Sequence, residues 1–183
     1  MITINTIKIL TDEDFQLQSI PFDNPRIRYG ARGILLSDDD TDTIAVFHKT
    51  NCNEYKLPGG GIDEGETPEE AFKRESLEET GCEIEIIARL GIIEEHKSLD
   101  NFKQTSCIFV AKVINNTKKL ALTQKEKEEG SKFEWMQKDV VLQKITDCEN
   151  VLIGSKFEDI YHIKFIVRRD QEILKYCLKE RSK

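Results

Sequence analysis

Hydrophobic positions recur with two periods along this chain, and they predict a strand-rich body with helix at its end. Residues 2–10 alternate loosely and read as a strand, followed from Thr11 to Pro25 by an acidic connection carrying two prolines. Arg26 to Leu36 reads as a buried strand and Thr43 to His48 as a second, with the polar turn Ser37 to Asp42 between them. Glu83 to His96 is strand-like with a bend at Gly91, and Gln104 to Ile114 is one of the most apolar runs in the chain. Asn115 to Gly130 is polar and loop-like, Lys132 to Met136 reads as a short strand, and Asp139 to Ile145 as a short helix. From about Phe157 to Lys179, Ile160, Ile163, Ile166, Ile173, Leu174, Cys177 and Leu178 recur at helical spacing, as one helix or a broken pair. The expected class is therefore α+β, a mixed sheet packed between helices.

The stretch from Gly59 to Cys82, GGGIDEGETPEEAFKRESLEETGC, does not fit the strand pattern. Its glycines allow a tight turn and close approach to a ligand. Thr67 is a natural N-cap, with Pro68 at the first helical position and Glu70 placed to close a capping box; Gly81 is a natural stop. These signals predict a helix over Pro68 to Thr80. Glu75, Glu78 and Glu79 then share one face, where like charges cost about 0.2–0.5 kcal/mol per pair unless a cation compensates. A solvated acidic surface and a site for a hard divalent ion taking oxygen ligands are both compatible with that face.

Composition changes the picture little but excludes some classes. The chain has 183 residues, 38% hydrophobic and 33% charged, a length suited to one domain. No apolar run reaches the length of a membrane span, and the N-terminus lacks the basic and small-residue features of a signal peptide. A formal net charge of −7 argues against a general nucleic-acid binder but not against a nucleotide substrate, because bound metal reverses a local field. The five cysteines, Cys52, Cys82, Cys107, Cys148 and Cys177, are scattered and make no metal-binding pair, which suggests free thiols in a reducing cytoplasm.

The glycine-acid stretch resembles the signature of the Nudix hydrolase superfamily. Gly60, Glu66, Arg74-Glu75, Glu78-Glu79 and Gly81 stand at all of its fixed positions, without a gap. At average residue usage such a match arises at a given start with a chance of roughly one in 10^8. Ser76 departs from the pattern, standing where the family usually has an aliphatic residue, which predicts weaker packing beneath the helix. The resemblance covers about residues 26–145 and leaves an N-terminal extension (1–25) and a C-terminal helical region (150–183) outside it. It implies an α/β/α sandwich with a mixed β-sheet and the signature as loop–helix–loop, all in one domain. It also implies Mg²⁺-dependent hydrolysis of a nucleoside di- or triphosphate derivative, with Mn²⁺ as an alternative ion. Carried over, Glu75, Glu78 and Glu79 are metal ligands, with the backbone carbonyl of Gly59 or Gly60 completing a site. Arg74 and Glu66 orient the carboxylates through an ion pair, and Gly81 supports the motif.

The general base varies in the family. Glu129 precedes Trp135 by six residues, the spacing of MutT-like members, and is the candidate; the same acids, Glu126, Glu128 and Glu129, also read as a solvated charge run. Glu94, Glu95 and His96 form a second-choice set. Lys49, Arg32 and Lys56 are candidates for binding substrate phosphates, and Tyr55, Tyr29 and Phe102 for stacking a base. The Glu129 spacing favours a MutT-like pyrophosphatase that cleanses oxidised nucleotides. ADP-ribose or nucleotide-sugar hydrolysis, and a non-catalytic nucleotide-sensing module, are the alternatives. The expected partner is a small nucleotide-like molecule, with neither nucleic acid nor membrane; pairing of the N-terminal strand between copies would give a homodimer.

Overall fold

The alternation of apolar residues along the longest strands decides the architecture, because each strand sends successive side chains into two different cores. The structure is a computed structural model and describes residues 5–38, 42–51, 53–117, 120–150 and 157–180. In chain order the elements are β1 (Thr6–Thr11), β2 (Arg26–Leu36), β3 (Thr43–Lys49), β4 (Glu54–Lys56), β5 (Gly59–Gly61), α1 (Pro68–Thr80), β6 (Cys82–Lys97), β7 (Phe102–Asn116), α2 (Gln124–Glu128), β8 (Ser131–Gln137), α3 (Lys138–Asn150) and α4 (Phe157–Glu180). The strands form one sheet in the order β1-β6-β7-β2-β3-β4, with β5 on β2 and β8 on β3. β1 runs parallel to β6 and β2 parallel to β7, while the remaining pairs are antiparallel.

Helices cover both faces. On one, Ala71 and Phe72 of α1 pack on Ala31, Leu35, Phe109 and Ala111. On the other, Val141 and Ile145 of α3 and Phe165, Ile173 and Leu174 of α4 pack on Ile34, Leu36, Ile108 and Val110. This is the α/β/α sandwich with a mixed sheet that the resemblance implies. Arg32 falls on the α4 side of β2, at a position where the alternation calls for a buried side chain, and this bears directly on the site.

Several local expectations shift. Residues 1–4 and 39–41 and Cys52 lie outside the described residues, so the start of the first strand, the tip of the acidic turn and that cysteine are not placed. The N-terminal strand pairs with β6 of its own chain. The connection after it turns on Asp12, which is buried and accepts hydrogen bonds from the Ser98 amide and hydroxyl and from the Tyr161 hydroxyl of α4. The polar segment after β7 is not all loop. Thr123 and Glu126 cap one another there and nucleate α2. The helix expected over Asp139 to Ile145 extends through Lys138–Asn150, and the C-terminal pattern forms a single helix rather than a broken pair. Ser76, which departs from the motif, is fully buried, and among the described residues its hydroxyl has no hydrogen-bond partner.

Candidate active site

Helix α1 is fixed at both ends by local chemistry. The Thr67 hydroxyl accepts the Glu70 amide, the Glu70 carboxylate accepts the Thr67 amide, and Gly81 closes the helix in a left-handed conformation with φ 70°. The helix then presents Glu75 and Glu79, one turn apart, to the glycine turn of β5. Glu79 is 3% exposed. One of its oxygens accepts Lys56 Nζ at 2.9 Å and the other accepts the Gly59 amide at 2.9 Å. Burial raises its pKa, and Lys56 and the Gly59 amide offset this only in part.

Glu75 stands directly against Gly60. A Cβ at Gly60 would lie 2.3 Å from the Glu75 carboxylate and would push that side chain out of its place. At Gly59 only glycine fits, because φ is 132° and a Cβ would run into the backbone of Ala31 and Arg32. Arg74 holds this arrangement together. Its Nε and Nη2 donate to the two oxygens of Glu66 at 2.9 Å each, Nη2 also donates to the Gly61 carbonyl at 3.0 Å, and Nη1 donates to Glu75 at 2.8 Å. The hydrogen bonds to Glu66 lead in pushing the Arg74 pKa further up. Glu78 is more open, at 3.6 Å from Arg74. Its pKa is raised by partial burial and by the nearby acids Glu75, Asp63 and Glu126, which outweigh Arg74.

These groups border a cavity of about 410 Å³. Glu75, Glu79, Glu54 and the three glycines line it, and Arg26, Arg28, Arg32, Lys49, Lys56, Lys97 and Arg169 line it with them. Seven cationic residues against four acidic ones, Glu126 being the fourth, make the lining net positive in a chain of formal net charge −7. Such a lining attracts a polyanion.

Lys49, Arg32, Lys56, Gly59, Gly60, Glu75 and Glu79 therefore gather around one space, whereas Glu78, Arg74, Glu66 and Glu129 do not line it. Arg74 and Glu66 act behind it, on Glu75. Glu129 pairs with Lys49 at 3.2 Å. Of the aromatic candidates Phe102 borders the cavity, Tyr55 is buried and stacks on His48, and Tyr29 is exposed on the surface. Trp135 packs edge-on against Phe133 beside the α1 core. In the second-choice set, Glu95 is fully buried between Lys97 and Arg169, and Glu94 pairs with His96.

Sequence reasoning missed Glu54. It is 4% exposed, its Oε2 lies 3.4 Å from Lys49 Nζ, and among the described residues its Oε1 has no hydrogen-bond partner. A signal existed: Glu54 and Lys56 are two apart on one strand and so share a face. Arg26 and Arg28 share the face of Arg32 on β2 by the same rule. His162, Ile166 and Arg169 come from α4, and nothing in their local sequence announced them.

A hard divalent cation fits this donor set. Among the described residues no three acidic, imidazole or thiol side chains already converge as a coordination shell. Lys56 and Arg74 instead sit on the carboxylates that such an ion would take. The Glu54 oxygen that has no hydrogen-bond partner among the described residues lines the same cavity as Glu79 and Glu75 and offers the oxygen chemistry that a hard divalent ion prefers.

The profile of the NUDIX domain matches residues 28–151, most of the chain, and the chain belongs to that family. Among curated proteins it is 57% identical over 44 residues to an RNA pyrophosphohydrolase of Sulfurovum, covering 23% of this chain and 28% of that protein. It is 30% identical over 126 residues to the Xenopus laevis protein named nucleoside diphosphate-linked moiety X motif 6, covering 68% of this chain and 54% of that one. The chain thus matches less than two thirds of the length of these relatives. A NUDIX hydrolase structure from Nitrosomonas europaea superimposes with a TM-score of 0.54 at 15% identity, covering 76% of this chain and 88% of the other, and shares the fold.

Proposed function

We propose that this chain is a Mg²⁺-dependent pyrophosphohydrolase that cleaves a nucleoside di- or triphosphate derivative. One observation carries the reading: a single cavity gathers the carboxylates at the glycine turn together with seven cationic residues. Such a lining suits a metal-bound diphosphate, because its transition state is polyanionic and is stabilised by fixed positive charge. Glu75, Glu79 and Glu54 would hold the metal, with Glu78 at the rim and the carbonyl of Gly59 or Gly60 beside it. Bound Mg²⁺, or Mn²⁺ in its place, supplies charge neutralisation at the phosphoryl oxygens and a more acidic water.

The protein's own groups do the rest. Lys49, Lys56, Arg28 and Arg32, which line the same cavity, bind the phosphates. Arg74, anchored on Glu66, keeps Glu75 turned toward Gly60. Phe102 offers an apolar surface for the base or its substitute. Glu129, beside Lys49, and Glu126, which borders the cavity from α2, are the candidates for accepting the proton of the attacking water. The buried free cysteines Cys82, Cys107 and Cys148 suit a reducing cytoplasm. Among the described residues no helix is long and apolar enough to cross a membrane.

The test is turnover on a panel of 8-oxo-dGTP, ADP-ribose, nucleotide sugars, dinucleoside polyphosphates and 5′-triphosphate RNA, with Mg²⁺ and Mn²⁺ and with products identified. Metal-dependent release that Glu79→Gln abolishes supports the reading. Tight nucleotide binding without any turnover would favour the sensing module instead.

A further inference from the structure

Gln104 of β7 is a buried amide with a set orientation and one open end. It is 5% exposed, and its Nε2 donates to Glu95 at 3.1 Å and to the Ser106 hydroxyl at 3.2 Å, which uses both N–H groups. Glu95 is what keeps the amide from turning over. Burial works against the Glu95 charge, but Arg169 at 3.3 Å and Lys97 at 3.0 Å, with Arg32, outweigh it and hold its pKa at about 2. An ionised carboxylate only accepts, so the Gln104 atom that faces it is the nitrogen. Oε1 accepts from none of the described residues, yet it is not sealed from the surface. It therefore opens on the cavity that Gln104 lines.

The sheet register sets how far Gln104 stands from the glycine turn. Arg32 is the β2 partner of Gly59, and Arg28, four residues earlier, is the β2 partner of Gln104. Four residues of strand span about 13 Å. A sugar and base carried on a diphosphate at the turn extend over such a distance within the one cavity. The device that orients the amide is in part this chain's own, because Arg169 belongs to α4, which lies beyond the residues matched by the NUDIX profile.

We infer that Gln104 is a specificity-determining residue, whose oxygen accepts a hydrogen bond from an N–H or O–H donor on the group carried beyond the diphosphate, a base amine or a sugar hydroxyl. An analogue lacking that donor is disfavoured, because it leaves the oxygen without a partner and the amide cannot rotate to offer its nitrogen instead. The inference rests on the hydrolase reading for its effect on turnover, whereas binding tests the acceptor alone.

The experiment compares nucleoside triphosphates in pairs that differ at one donor: ATP with purine riboside triphosphate, GTP with inosine triphosphate, CTP with UTP, and each ribonucleotide with its 2′-deoxy form. Affinity is read by calorimetry on Glu79→Gln in Mg²⁺, and kcat/KM on the parent. In one pair the member without the donor is expected to bind about tenfold or more weakly, the loss of one hydrogen bond to a buried acceptor. Which pair it is says whether base or sugar supplies the donor. Adding Gln104→Met, close in volume, should bring that ratio near one, in affinity and in kcat/KM alike. A merely structural role would weaken both members and leave the ratio as it was. Gln104→Asn, which withdraws the oxygen by one methylene, should shrink the ratio too and serves if the methionine variant fails to fold. No pair distinguished, or a ratio unchanged by these substitutions, overturns the inference, and turnover in Mg²⁺ would still keep the hydrolase reading. A ratio that depends on Gln104 in a chain that hydrolyses nothing keeps the inference about binding and ends the hydrolase reading.

Discussion

Glu79 and Glu95 are both buried carboxylates beside the same cavity, and their surroundings drive them in opposite directions. Glu95 is flanked by Lys97 and Arg169 and accepts from Gln104. Burial alone would raise its pKa, but Arg169, Lys97 and Arg32 together outweigh that and hold it at about 2. Glu79 has one lysine and one amide, and burial wins. A carboxylate satisfied by several cations belongs to the scaffold. One left under-compensated at a cavity wall has unused capacity for a cation, which is what a metal ligand requires. Proximity to the cavity does not separate the two roles; the completeness of their compensation does.

Removing each acid should therefore have opposite consequences. Glu95→Ala leaves Lys97 and Arg169 short of a buried partner and is expected to destabilise the fold by about 3–5 kcal/mol, read from urea unfolding. Glu79→Gln should abolish metal-dependent turnover by on the order of 10²-fold or more. It should cost less stability than the loss of Glu95, because burial already works against the Glu79 charge in the folded state. Equal destabilisation by both variants would break the comparison.

Acid titration sharpens the same contrast. The folded pKa of Glu95 lies below its ordinary value of 4.5, so its contribution to stability is present above that pH and is lost as pH falls toward about 2. Glu79 has the reverse sign: its raised pKa favours the fold at low pH, and that benefit disappears as pH rises through the folded value. Unfolding free energies of the parent and of Glu95→Gln between pH 5 and 2 should converge as pH falls; parallel curves would contradict the assignment. The smallest effect serves as a control. Thr67→Ala removes the cap of α1 and should cost about 1 kcal/mol, seen as a lower unfolding midpoint, without selecting between the two carboxylates.

The helix from Pro68 to Thr80 was legible to the residue, because its cap, its first-position proline and its glycine stop are all local chemistry. The longer strands were legible by alternation, with ends displaced by a few residues where pairing with a neighbour extends them. The segment that forms α2 carries only loop signals, since its five residues have no apolar stripe and depend on the Thr123–Glu126 cap. In the site, the spacing of Glu75 and Glu79 and the glycines beside them could be read directly. Glu54 could not be ranked, because it is one acid on a three-residue strand until the sheet brings β4 to the cavity that Glu75 and Glu79 also line.

By itself, then, the sequence determined the family motif, the helix that carries it, and the two-sided pattern that demands helices on both faces of a sheet. Short-range geometry suffices for these, since residues three or four apart on a helix, or two apart on a strand, have fixed relations. Only the tertiary structure decided which charges meet. It sent Arg32 to the α4 face, set Glu95 between Lys97 and Arg169, and brought Glu54 to the cavity of Glu75 and Glu79. The compensation of a buried charge is summed over neighbours distant in the chain, and no local spacing encodes that sum.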